Sequence, residues 1–122
     1  MRTRRCTERT IAGRSAKAEA FLDDAELLAS DPGRRHSAAC LYVDAGIAAS
    51  DVLCCRTLGE HAKGQDHNDA IRLLTRVNRD RARDLAVLLA NKSLISYSAE
   101  TLSATEFKKV QRAAIRLVDA AR

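Results

Sequence analysis

The chain has no tryptophan, one methionine, one proline, five glycines, two tyrosines and two phenylalanines among its 122 residues. So few turn formers exclude a many-stranded sandwich or barrel, which needs a turn every 8–12 residues or so. With aromatics at 3%, the 46% hydrophobic content must come mostly from Ala, Leu, Ile and Val. Alanine is the best helix former and a poor strand former, so an all-α domain is expected. No charged n-region, apolar h-region and cleavage site open the chain. The longest apolar stretch, around Ile47 to Leu53, is broken by Ser50 and Asp51, so no membrane span is expected. These absences point to a cytoplasmic protein. Its four cysteines, Cys6, Cys40, Cys54 and Cys55, are then expected as reduced thiols packed like small apolar residues. Cys54 and Cys55 are adjacent rather than C-x-x-C, and no second pair follows at zinc spacing, so neither a metal nor a cofactor is implied. A chain of this length makes one domain with a core of its own.

Net charge is +5, and it is unevenly spread. Residues 1–14 hold Arg2, Arg4, Arg5, Arg9 and Arg14 against Glu8 alone, four of the five net charges. The expectation is a basic, flexible arm over residues 1–14 on a nearly neutral body over 15–122. Such an arm can touch phosphates or simply lie solvated.

Hydrophobic periodicity divides the body into helices. From about Ser15 to Ser30, Ala18, Phe21, Leu22, Ala25, Leu28 and Ala29 recur at helical spacing, and Asp31-Pro32-Gly33 stops the run. A longer helix is expected from Arg34 or Arg35 to about Lys63, with Gly64 as its left-handed cap. It carries two apolar stripes, which marks the central member of a bundle. Its small residues, Ala45, Gly46, Ala48 and Ala49, allow a neighbour to approach closely. Asp66 and Asn78 read as N-caps of two further helices, the second ending near Lys92. Residues 93–102 read as connecting chain. Ser103-Ala104-Thr105-Glu106 reads as a capping box opening the last helix. The sum is a four- to five-helix up-down bundle. Arg79, Arg81 and Arg83 alternate with Asp80 and Asp84, the pattern of a solvated face.

The order of these pieces resembles the HEPN superfamily of small prokaryotic helical-bundle proteins, over about residues 15–122. Ala18-Glu19-Ala20-Phe21-Leu22-Asp23-Asp24-Ala25-Glu26-Leu27-Leu28 resembles the family's opening A-E-x-x-L-x-x-A-E-x-L pattern. Ala45-Gly46-Ile47-Ala48-Ala49-Ser50-Asp51 resembles its small-residue helix with one embedded acid. Gly64-Gln65-Asp66-His67 stands where the family has Gly-x-x-His, and Lys92 and Tyr97 precede the last helix. Length and the excess of Arg over Lys make the likeness one to short, stand-alone actinobacterial members.

The resemblance implies a component of a toxin–antitoxin or defence system, acting as a metal-independent ribonuclease and a homodimer, with a nucleotidyltransferase-type or other protein partner. It equally implies a rival, a catalytically inactive module that binds a partner protein or nucleotide. The family's catalytic signature is R-x4–6-H. RNA cleavage without metal needs a base near neutral pKa for the 2′-hydroxyl and a cation for the phosphorane charge. The chain has one match, Arg56-Thr57-Leu58-Gly59-Glu60-His61, which also reads as an exposed helix end. The family's usual position before the last helix holds Lys92-Ser93-Leu94-Ile95-Ser96-Tyr97 instead, without the histidine. The expected cleft residues are Asp51, His67, Lys92 and Tyr97, with Arg56 and His61 as a second pair. Asp51 also reads as a structural ion pair, needing Lys92 or an arginine from a neighbouring helix. Asp44, seven residues earlier, falls on nearly the same face. His67 also reads as a packed helix-entry residue, and Tyr97 as a loop anchor.

Overall fold

The computed structural model describes residues 1–64 and 66–122. A three-residue strand, β1 (Thr3–Arg5), leads into helix α1 (Glu8–Ala29). A 3-10 turn over Pro32–Arg34 reverses the chain into α2 (Arg35–Leu58), followed by strand β2 (Glu60–Ala62). Helices α3 (His67–Thr75), α4 (Arg79–Tyr97) and α5 (Ala104–Ala121) complete an all-α bundle with one small two-stranded ribbon.

The caps follow local chemistry. Asp66 accepts from the amides of Asn68 and Asp69, Asn78 from Arg81, and Ser103 from Glu106. Each satisfies donors that a helix start leaves orphaned. Helix α2 packs against α1, α4 and α5, and is buried on several sides as its two stripes require. Ala45, Ala48, Ala49 and Val52 are fully buried. Tyr42 is also fully buried, because its hydroxyl donates to Glu26 of α1 (3.0 Å) and accepts from Gln111 of α5 (2.8 Å). Burial pushes the Tyr42 hydroxyl up to about 12. The segment Pro32–Leu58 has the length and hydropathy of a membrane span, but 67% of its most apolar window is buried within the bundle.

Several boundaries differ from expectation. Residues 1–14 are not a separate arm. Helix α1 begins at Glu8, where Thr7 and Thr10 form a reciprocal capping box. Ahead of it, β1 pairs antiparallel with β2, Arg4 opposite His61. Cys6 is disulfide-bonded to Cys55 across 49 residues, so two of the four expected thiols are not thiols. Cys40 and Cys54 remain free. Helix α2 stops at Leu58 rather than Lys63, because Gly59 takes the left-handed conformation (φ 73°) and caps it. Helix α4 runs on to Tyr97. Ile95 sits one heptad after Leu88 on the buried face, and its carbonyl accepts from His36 Nε2 at 2.7 Å. The serines at 93, 96 and 98 hid that continuation. The expected solvated face on α4 is only half so. Asp80 pairs with Arg83 at the surface, but Asp84 is buried and accepts twice from Arg116 of α5 (3.0 and 2.9 Å). Arg81 Nε approaches its other oxygen at 3.1 Å without hydrogen-bond alignment.

At Gly46 a Cβ would lie 2.1 Å from Leu88 Cδ1 and 3.3 Å from Leu117 Cδ1. Both leucines are fully buried, so neither can swing away freely. Gly46→Ala is expected to lower unfolding free energy by about 1–3 kcal/mol through overpacking. Urea unfolding checks this; an unchanged midpoint would show that Leu88 yields without cost.

Candidate functional site

Asp51 lies near the C-terminal end of α2, on a helix whose other faces are committed to packing. Its carboxylate is drawn out of water and needs cations. Arg14 of α1 donates from Nε to Asp51 Oδ2 at 2.9 Å. His61 of β2 places Nδ1 3.9 Å from Oδ1. The same Nδ1 lies 3.0 Å from the carbonyl of Ala62. A carbonyl only accepts, so Nδ1 carries the hydrogen in that contact. Burial pushes the Asp51 carboxyl above the usual carboxylate range, and the charges of Arg14 and His61 pull it partway back. Asp44 is exposed, but partial loss of solvent still pushes its carboxyl up, against the opposing pull of Lys92 and Arg14. Asp44, Lys92, Arg14 and Asp51 thus make a charged seam along one side of α2. Burial, reinforced by the Asp51 charge, pushes the Cys54 thiol up to about 12, so this thiol is a packing group.

Beside this seam is a cleft of about 180 Å³ between α2, α3 and α4. Ile47, Leu85 and Leu89 supply its apolar wall, and Asp51, Asp66, His67 and Lys92 its polar one. The three polar residues that matter chemically come from three helices. Asp51 is on α2, His67 is the first residue of α3, and Lys92 is on α4. Among the described residues no carboxylate lies within 4.0 Å of the Lys92 ammonium, which leaves its charge available to a ligand.

The site thus gathers three of the six expected residues, Asp51, His67 and Lys92. His61 joins through Asp51, from a strand rather than a helix end. Two do not join. Arg56 donates to the Ala121 carbonyl at the end of α5, so it caps that helix, and no hydrogen bond joins it to His61 among the described residues. Tyr97 is 83% exposed at the far end of α4 and neither anchors a loop nor lines the cleft. Gln65 of the Gly-x-x-His segment lies outside the described residues. Of the two partners expected for Asp51, Lys92 or an arginine from a neighbouring helix, it is the arginine that pairs with it, Arg14 of α1. Its place among residues 1–14, expected as an arm, gave no sign of this. Among the described residues no group of three or more His, Cys, Asp or Glu side chains is placed to hold a metal ion.

No protein-family model matches the chain, and no curated protein matches its sequence. Fold and site therefore define the molecule as an all-α bundle with a cationic-and-acidic cleft at its central helix.

Because the folded state holds the Asp51 and Asp44 protons more tightly than the unfolded chain, stability falls as pH rises through the range just above ordinary carboxylates, from about pH 4 upward. Arg14→Ala removes the nearest charge and hydrogen bond holding Asp51 down. The Asp51 carboxyl should titrate at still higher pH, and the stability loss with pH should extend further. Carbon-13 NMR of the carboxyl, with urea unfolding across pH, reads both; an unmoved titration would show that Arg14 does not set this charge.

Proposed function

We propose that this chain is a HEPN-like component of a toxin–antitoxin or defence system, with the Asp51–His67–Lys92 cleft as a metal-independent site for RNA phosphodiester cleavage, working as a homodimer. The observation that carries this reading is the convergence of His67 and Lys92 from separate helices on one cleft, with Asp51 beside them. His67 would take the proton from the ribose 2′-hydroxyl, and the 2′-oxygen would attack phosphorus as the 5′-oxygen leaves. Lys92 would meet the charge that builds on the phosphoryl oxygens. Asp51 holds Arg14 and His61, and so sets the local field rather than touching the reacting atoms. Arg2, Arg4, Arg5 and Arg9 add support. All four are exposed, and the β1–β2 pairing brings the first three to the side of the bundle that carries His61. A cationic strip there suits a polyanionic backbone. Leu27 and Tyr97, 76% and 83% exposed at the bundle end where α1 and α4 finish, offer apolar surface to a second copy.

A second reading, a catalytically inactive module that binds a partner protein or nucleotide, is favoured by one observation. Arg56 is engaged with α5, so the R-x4-H sequence does not assemble as a pair.

Induced expression in a bacterial host separates the two. On the first reading the wild type arrests growth and fragments RNA. Lys92→Ala and His67→Ala each cut the cleavage rate by about 10²–10⁴-fold and relieve the arrest. His61→Ala tests the Arg56-His61 assignment, and is expected to have the smaller effect. Normal growth and intact RNA with the wild type would sink the ribonuclease reading and leave the module.

A further inference from the structure

Around Asp51, the chain makes one covalent link between distant segments. Cys55 follows Asp51 by four residues, so the two share a face of α2, one turn apart. Its disulfide partner Cys6 immediately follows β1, and Thr7 then caps α1, which delivers Arg14. On the other side, α2 ends at Leu58 and β2 delivers His61 three residues later. Both partners of Asp51 therefore reach it on segments that the Cys6–Cys55 bond ties together.

The N-terminal segment has little else to hold it. None of residues 1–5 is buried, and Met1 is 52% exposed. What remains is a three-residue strand pairing and a few polar contacts. The Cys6 amide donates to the Gly59 carbonyl and the Lys63 amide to the Arg2 carbonyl, both at 2.9 Å. Thr3 Oγ1 donates to Glu60 at 3.2 Å. A two-stranded ribbon of this length is marginal in water without a cross-link. By contrast α1, α4 and α5 are anchored by fully or largely buried Leu, Val and Ala side chains. The two cysteines also differ. Cys55 is 4% exposed, whereas Cys6 is half-buried, the more open residue of the pair.

We propose that the Cys6–Cys55 disulfide is a redox latch: oxidised, it pins β1 on β2 and holds His61 beside Asp51; reduced, it releases residues 2–6 and lets β2 loosen while the helical bundle stays folded. The reductant is a dithiol. One of its thiolates attacks Cys6 Sγ, the S–S bond breaks, and Cys55 leaves as a thiolate that takes up a proton. The second thiol of the reductant then attacks the mixed disulfide and releases Cys6. Two electrons and two protons pass to the cysteines, and the reductant ends as its own disulfide. Any effect of the latch on RNA rests on the function proposed above; the structural change does not.

Hydrogen exchange read by mass spectrometry on the full chain tests this, with and without dithiothreitol, beside the Cys6→Ser/Cys55→Ser double variant. Alkylation in denaturant should find two thiols, Cys40 and Cys54, before reduction and four after it. On reduction, amides of residues 2–6 and 60–63 should exchange about tenfold faster or more, while the cores of α2, α4 and α5 keep their protection. The double variant should match the reduced protein, and reoxidation of the wild type should restore protection. His61 ring chemical shifts should move with the same treatment. Four reactive thiols before reduction would overturn the proposal, since no bond would then exist. Unchanged exchange at 2–6 and 60–63 would overturn it too, as would loss of protection throughout, which would make the bond a staple for the whole fold. If the latch responds as expected but RNA stays intact in both states, the latch stands and the ribonuclease reading fails.

Discussion

The close approach of α2 to α4 and α5 at Gly46 is the contact on which the remaining packing depends. Leu88 and Leu117 occupy the space where any larger residue would put its Cβ. Around that point Ala45, Ala48 and Ala49 keep the helix narrow, so three neighbours can pack on it at once. A core built this way relies on short distances rather than large side chains, which is how a chain with four aromatic residues still fills its interior. The few bulky groups sit toward the bundle end away from the cleft. Tyr42 meets Phe107 edge-on at 6.0 Å, and Arg35 stacks over the same ring at 5.8 Å.

A helix enclosed on several sides makes every polar residue on it costly, and the structure answers that cost in different ways. Tyr42 is satisfied by Glu26 and Gln111, and so bolts α1 and α5 to α2. Asp51 is met by Arg14 and His61, but one side of it opens on a cleft. Asp84 on α4 is the useful contrast. It is buried where Asp51 is only half-buried, and it too is held by arginines, but it lines no described cavity and links α4 to α5. Two aspartates with arginine partners thus have different characters. One is a structural tie, and the other belongs to the wall of a space that a ligand can enter. Charge pairing alone does not separate them; the neighbouring void does.

The arrangement at Asp51 also joins segments that lie far apart in sequence. Arg14, His61, Cys6 and Cys55 belong to segments that share no local pattern. They meet because α1 and α2 are antiparallel neighbours, which puts the start of one beside the end of the other. The ribbon of β1 and β2 closes that corner. Placing the arginine-rich segment there converts a tail-like charge run into a fixed surface feature next to the cleft.

Local pattern was enough for the helices, because their signals are local. Apolar residues recur at helical spacing, and Asp66, Asn78 and Ser103 cap through bonds that reach only two or three residues along the chain. Alanine abundance and scarce turn formers set the class, and the two-striped α2 announced a central helix. The site was legible only in part. His67 and Lys92 entered only through the family resemblance, whereas Asp51 could be singled out because an acid in an apolar helix stands out in one dimension. Arg14, the Cys6–Cys55 bond and the pairing of β1 with β2 could not, because each joins residues 37 to 57 or more positions apart with no intervening periodicity. The same holds for the outcome at Arg56 and Tyr97. The family resemblance brought them into the candidate set, but only packing decides which way a side chain faces. It turned Arg56 onto the end of α5 and left Tyr97 in solvent.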